Sequence, residues 1–246
     1  MSRQPKSQSP IQPLRFRKLV DLSHPLYPGM PGWPTQPSLR YEMIKIAARD
    51  TYTLTMITRM VTHTGTHIDA PAHFLPAGKT VDQLHLDSYY GEGTVIDLSR
   101  KNAAEEITKE DLKEHENDLR RDEVVVIRTG WDKKLGMTPE YLFEWPYLGV
   151  ESAQYLVSKK IRAVGIDALS IGGWNETVPA HGPLAKSSPT DTHKILLSAS
   201  IVIIEVLANL EQVLEGKDSA SAFFLFAPLN FVNAEGSPTR ALAFLQ

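Results

Sequence analysis

The chain has 246 residues, 42% of them hydrophobic and 22% charged, with a formal net charge of −3 and no cysteine. That length supports a substantial core and favours one large domain. The charge balance lacks the basic excess of a phosphate-binding face, which argues against a nucleic-acid partner, and no apolar run approaches the roughly 20 residues that span a bilayer.

The opening MSRQPKSQSPIQPLRFRK is polar and rich in Pro, Ser and Gln, without an apolar central segment. Residues 1–16 therefore read as a loose tail rather than a secretory signal, residues 17–246 as a single domain, and the cytoplasm as the default location. Alternating apolar and polar residues predict strands over Leu39–Ala47 and Thr53–Val61. TVIDL from Thr94, EVVVIRTG from Glu123, IRAVGIDA from Ile161, SIVIIEVL from Ser200 and AFFLFAPL from Ala222 read as shorter, more buried strands. One helix opens at Thr108, with Asp111 placed as the acidic partner of a capping box. A second runs from Val150 to Lys160, with Ala153, Leu156 and Val157 on a shared face, and connects two strands as a covering crossover. The longest irregular reach is GGWNETVPAHGPLAKSSPTD, from Gly172 to Asp191, and loops of that length are often functional. The fold class expected is mixed α/β with more strand than helix. His24 reads as a turn residue, His85 and His115 as solvent-facing, and Asp167 as a loop anchor or a pocket-wall residue.

The stretch VTHTGTHIDAPAHF, Val61 to Phe74, holds three of the eight histidines and an aspartate. Gly65, Pro71 and the β-branched threonines oppose a helix there. In extended chain the odd positions His63, Gly65, His67, Asp69, Pro71 and His73 tend to one side, with Gly65 leaving space for an ion or for backbone approach. Pro71 ends ladder pairing and turns His73 back toward the same point. Absence of cysteine leaves nitrogen and oxygen as donors, and three imidazoles with a carboxylate suit zinc, and also manganese or iron. The aspartate can bridge two ions through its two oxygens. A lone histidine is most often a hydrogen-bonded or surface residue; four such groups at ligand spacing form a much narrower class.

HTGTHIDAPAHF resembles the H-x-G-T-H-x-D-x-P-x-H-F signature of the cyclase family of metal-dependent hydrolases, which includes bacterial kynurenine formamidases and isatin hydrolase. DLSHPLYPGMPGWP, VVIRTGW, VGIDALS and EGSPTRALAF extend the likeness from about Leu19 to the end. The resemblance implies a strand-rich, mixed-sheet swivelling β/β/α type of domain that assembles as a homodimer or homotetramer. It implies His63, His67 and Asp69 as ligands of a first metal, Asp69 shared, and His73 on a second where two ions are bound. His193 matches the family's proton-transferring histidine, and Glu205, twelve residues on, its metal-binding glutamate. The cofactor expected is one or two divalent ions, zinc first and manganese as alternative; no other cofactor is implied, GEGT at Gly91 being too short for a dinucleotide fingerprint.

A carboxylate in the apolar strand around Glu205 is expensive without a partner, either a metal or a buried Arg or Lys. The chemistry implied is hydrolysis of a C–N amide bond of a small aryl formamide or cyclic amide by metal-activated water, with His193 relaying a proton to the leaving nitrogen. Trp33 and Trp174 are candidates to stack on a flat aryl substrate. The segment Ile171–Thr192, with Trp174 and His181, does not align with the kynurenine formamidases, which leaves the substrate open. Two rival readings stand: a mononuclear iron oxygenase using a His67-x-Asp69…His193 triad, which leaves His63, His73 and Glu205 without a task, and a non-catalytic metal- or ligand-binding module.

Overall fold

The computed structural model describes residues 15–175 and 188–246, together with the backbone of 177–178 and 182–183. Most of the expected tail and His181 lie outside the described residues. Ten strands carry the architecture: β1 (Lys18–Asp21), β2 (Arg40–Lys45), β3 (Leu54–Arg59), β4 (His67–Asp69), β5 (Tyr90–Asp97), β6 (Val124–Arg128), β7 (Ala163–Ile166), β8 (Val202–Glu205), β9 (Ser219–Pro228) and β10 (Gly236–Leu245). Helices α1 (Lys109–Lys113), α2 (Val150–Lys159) and α3 (Pro189–Ser198) accompany them. The mixed, strand-rich α/β class is as expected.

The main sheet runs β1–β10–β9–β5–β6–β7–β8–β4, and β10 pairs with β4 as well, so the sheet closes on itself. Strands β5 to β8 are mutually parallel; the others join antiparallel. A parallel segment covered on both faces must be apolar throughout, and every residue of Val124–Ile127 is buried. One core fills the ring, with Ile68, Val126, Ile204, Phe224 and Phe226. The other packs α2 and α3 onto the outside of the parallel strands, with Ile127, Leu156, Leu196 and Ile203. The ring abolishes two open edges, the usual weak points of a sheet.

Helix α1 has the capping box expected, Thr108 and Asp111 bonding reciprocally, and α2 spans Val150–Lys159. Four expectations change. The irregular reach stops at Pro189, the first residue of α3, a position where proline loses no helical hydrogen bond. Among the described residues β2 and β3 pair with each other alone, and neither buries a residue on either face, so their alternation does not mark a half-buried pair. His115 is buried rather than solvent-facing. β1 and β10 were not expected, the second because Gly236, Pro238 and Arg240 interrupt its apolar pattern.

Asp167 is the loop anchor. Its buried carboxylate accepts from Thr129 N at 2.8 Å, Thr129 Oγ1 at 2.6 Å and Gly130 N at 2.7 Å, tying the end of β7 to the turn after β6. Burial pushes Asp167 up to about 7, against the pull of those donors. The folded protein therefore binds this proton more tightly than the unfolded chain, and the associated stability is full below about pH 4 and lost as pH rises through about 7. Asp167→Asn sets an amide against the Gly130 N–H and is expected to cost about 1–3 kcal/mol at pH 5. The deficit should be smaller at pH 8, and urea denaturation at the two pH values checks both the cost and its trend.

Candidate metal centre and active-site cavity

Three residues of β4 set the site. Antiparallel pairing puts His67 opposite Glu205 of β8 and Asp69 opposite Gly236 of β10. The two-residue alternation of a strand turns Ile68 and Ile204 into the ring core, and His67, Asp69 and Glu205 to the outer side, beneath α3. Pairing of short strands thus brings two carboxylates and an imidazole together from 138 residues apart in sequence, as Glu205 minus His67.

Only His67–Asp69 of the expected extended stretch is a strand. His63 arrives through a turn closed by Thr64 N to Val61 O at 3.2 Å. Gly65 takes a positive φ of 63°, and an added Cβ would lie 2.4 Å from Leu26 Cδ2. Its glycine therefore serves left-handed backbone and close packing, and its carbonyl accepts from His67 Nδ1 at 2.8 Å. Pro71 opens the short 3-10 turn that carries His73. His193 stands on α3, buried, with Nδ1 against Pro189 O at 2.6 Å.

His63 Nδ1 lies 2.9 Å from Asp69 Oδ1, and His67 Nε2 lies 3.3 Å from the same oxygen and 3.4 Å from Glu205 Oε2. His193 Nε2 lies 3.2 Å from Glu205 Oε1 and 3.7 Å from Asp69 Oδ2. Donor atoms of His63, His67 and Asp69 fall within 4.8 Å of one another, and so do those of Asp69, His193 and Glu205. His73 belongs to neither set; its ring lies 4.1 Å from that of His63. Among the described residues, Glu205 has no Lys or Arg partner. It is fixed instead by Ser170 Oγ at 3.0 Å and Ile171 N at 2.6 Å, both donating to Oε1.

The donor set fits a cation on one physical ground. Both oxygens of Asp69 are buried and, among the described residues, neither receives a directed hydrogen bond, although His63 Nδ1 and His67 Nε2 lie close to Oδ1. A carboxylate desolvated in this way requires concentrated positive charge. Charge is already arranged for it: burial disfavours the imidazolium of His67, yet Asp69 and Glu205 outweigh burial and raise it to about 10. Burial and the Asp69 charge push Glu205 up, and His193 and His67 overcome both to hold it at about 2. Asp69 sits well below the usual carboxylate range despite burial, because His63 and His67 flank it. Burial lowers His73 against the attraction of Asp69. A cation entering this set displaces imidazole protons.

Beside the donors lies a cavity of about 240 Å³ lined by Trp33, Gln36, Phe74, Leu169, Ser170, Asn175, Thr190 and the four histidines 63, 67, 73 and 193. Phe74 stacks on the His193 ring at 4.6 Å. Trp33 is on the wall, whereas Trp174 is buried behind it, 5.0 Å from Trp33 and 5.0 Å from Phe143. His24 lies elsewhere, in a surface depression with Thr66 and Arg240. Gln36 sits in an unremarkable local pattern; Ser170 and Glu235, which faces His63, lie within the stretches VGIDALS and EGSPTRALAF, and Asn175 within the long irregular reach, but no spacing there assigns any of them to the site.

The family model described as "Putative cyclase" matches residues 20–172. Kynurenine formamidase of Bacillus anthracis is 31% identical over 229 residues, covering 93% of this chain and 98% of that protein. Isatin hydrolase A from Labrenzia aggregata, solved with benzyl benzoate, superposes with a TM-score of 0.77 at 28% identity, over 93% of each chain. A potential metal-dependent hydrolase with cyclase activity gives 0.69 at 30% identity, over 93% of this chain and 98% of that one.

Since ion binding requires neutral imidazoles, zinc added to metal-stripped protein should raise the melting temperature by roughly 5 °C or more at 100-fold excess over Kd. The rise should grow between pH 6 and 8 with proton release, and Asp69→Asn should abolish it. Differential scanning calorimetry in two buffers of different ionisation enthalpy checks all three.

Proposed function

Because the chain belongs to the cyclase family, we propose that it is a metal-dependent hydrolase cleaving the C–N bond of a small aryl formamide or cyclic amide. The observation that carries this reading is the buried Asp69 carboxylate, free of directed hydrogen bonds and ringed by imidazoles at the floor of a partly aromatic cavity. The names of the relatives supply the substrate class; the donor set supplies the reason for a metal.

His63, His67 and Asp69 would hold a first divalent ion, zinc in our reading and manganese as the alternative. Asp69 is common to both donor sets, as one carboxylate bridging two ions requires, and Glu205 belongs to the second set. His73 is assigned only to a second ion. A bound divalent cation supplies Lewis acidity, polarising a carbonyl and lowering the pKa of water from 15.7 to about 7. The remaining work falls to the chain. His193 is held at Nδ1 by the Pro189 carbonyl and on its face by Phe74, so Nε2 points at the cavity with its orientation fixed. From there it delivers a proton to the departing nitrogen, which leaves as an amine rather than an amide anion. Burial opposes its protonated form, and Glu205 and Asp69 more than compensate, raising it above the ordinary histidine value. Trp33, Phe74 and Leu169 provide flat apolar walls for an aryl ring; Trp174 supports Trp33 from behind.

We further infer a homo-oligomer, built on the β2–β3 hairpin. Tyr41, Met43, Ile44, Ile46, Tyr52, Leu54, Met56 and Ile57 are all exposed on it. An isolated two-stranded hairpin is marginal in water, and a patch that gathers eight exposed large apolar side chains on one hairpin is characteristic of self-association.

His67→Ala is expected to lose bound metal and turnover together. His193→Ala should keep its metal and lose about 10²–10⁴-fold in rate, which separates proton transfer from ligation, since His193 also lies within ligand range of Asp69 and Glu205. Metal analysis of chelator-free preparations, with a panel of N-formyl anilides and lactams, reads both outcomes; turnover surviving in the metal-free His67 variant defeats the proposal. For assembly, Met43→Glu combined with Ile57→Glu should reduce the mass seen by sedimentation to the 27.4 kDa of one chain.

A further inference from the structure

Each imidazole of the centre turns one nitrogen toward the carboxylates and the other away. The outward nitrogen of His67 meets the Gly65 carbonyl and that of His193 meets the Pro189 carbonyl. His63 breaks the pattern of backbone acceptors. Its Nδ1 faces Asp69 at 2.9 Å, while its buried Nε2 has no directed partner among the described residues and faces Glu235 Oε1 at 3.3 Å.

Glu235 is itself held in place. Thr62 Oγ1, one residue before His63, donates to the same Oε1 at 2.6 Å. The Glu235 carbonyl accepts from Ala70 N at 2.8 Å, one residue after Asp69. At the next position, a Cβ on Gly236 would lie 2.7 Å from His63 Cε1, 3.0 Å from its Nε2 and 2.8 Å from the Ile68 carbonyl, so glycine there is what admits the ring. Glu235 and Gly236 thus form one seat for one imidazole.

We propose that Glu235 is a positioning residue for the metal centre: its carboxylate accepts the Nε2 proton of His63, fixing the tautomer in which Nδ1 is the donor atom. An anionic acceptor also makes the ring a stronger electron donor toward an ion than a carbonyl acceptor would. The proposal rests on the metal-centre reading above, and its test keeps the two apart.

Zinc affinity is measured on the metal-stripped full-length chain by competition with a chromophoric chelator at pH 7.5, with the visible spectrum of the Co²⁺-loaded protein alongside. Glu235→Ala should raise Kd by about 10- to 100-fold and shift the Co²⁺ bands. Glu235→Gln, which keeps the shape and an acceptor oxygen but loses the charge, should fall between it and the wild type. Thr62→Val, which frees the carboxylate without removing it, should raise Kd several-fold and covers the case in which Glu235→Ala does not fold. A purely structural role predicts a lower melting temperature of the metal-free protein with Kd and spectrum unmoved. Wild-type affinity within about twofold in the folded Glu235 variants overturns the proposal while leaving the metal centre standing. A wild-type chain that binds no zinc or Co²⁺ overturns both.

Discussion

Two carboxylates, Asp69 and Glu205, stand in the dry interior between a closed sheet and a helix, and the rest of the structure is organised around compensating them. Bringing both into low dielectric is opposed by desolvation and by their mutual repulsion. Three imidazoles and the Ser170 and Ile171 donors answer Glu205 and partly answer Asp69. What is left on Asp69 is the affinity for a cation, expressed at one point of the molecule.

Backbone pairing makes that concentration possible. β4 is only three residues long, yet it is bonded on both edges, to β8 and to β10, so its side chains have almost no freedom of placement. The parallel strands behind it, apolar on both faces, carry the helix on which His193 rides. Rigidity under the donors and variability at the cavity wall are thereby divided between different parts of the chain: the sheet sets the charges, while Trp33, Phe74 and the residues around 175 and 190 shape what can lie above them.

The donor cluster was legible because four ligating groups fall within eleven consecutive positions, His63 to His73, where local spacing is itself the signal. Glu205 was legible for a different reason, as a charge in an otherwise apolar strand. The parallel core strands announced themselves by continuous burial. Ring closure did not, since it depends on strands of three or four residues and on β10, whose Gly, Pro and Arg disguise it. Helix α3 escapes the sequence reading, and its first three residues fall in the irregular reach, because its first turn, PTDTH, is polar and its apolar residues Ile195, Leu196 and Leu197 come late. The hairpin misled in the opposite sense: alternation reports that one face avoids water, and here none of the described residues covers that face. Glu235 stood inside the family-like stretch EGSPTRALAF, but nothing local tied it to the site, since it lies 172 positions from the ring it faces, as Glu235 minus His63.

The dual pairing of β10 has a further bearing, on how the chain comes to be folded. Residues 236–238 complete β4, and 242–245 complete β1, so segments from around residues 18–21 and 67–69 remain without their neighbour until β10 has been made. Such long-range closure is entropically late and slow. Nascent protein consequently passes through a stage in which its helices and parallel strands can already pack while His63 still lacks its seat, and the donor set is complete only once Glu235 and β10 have followed them.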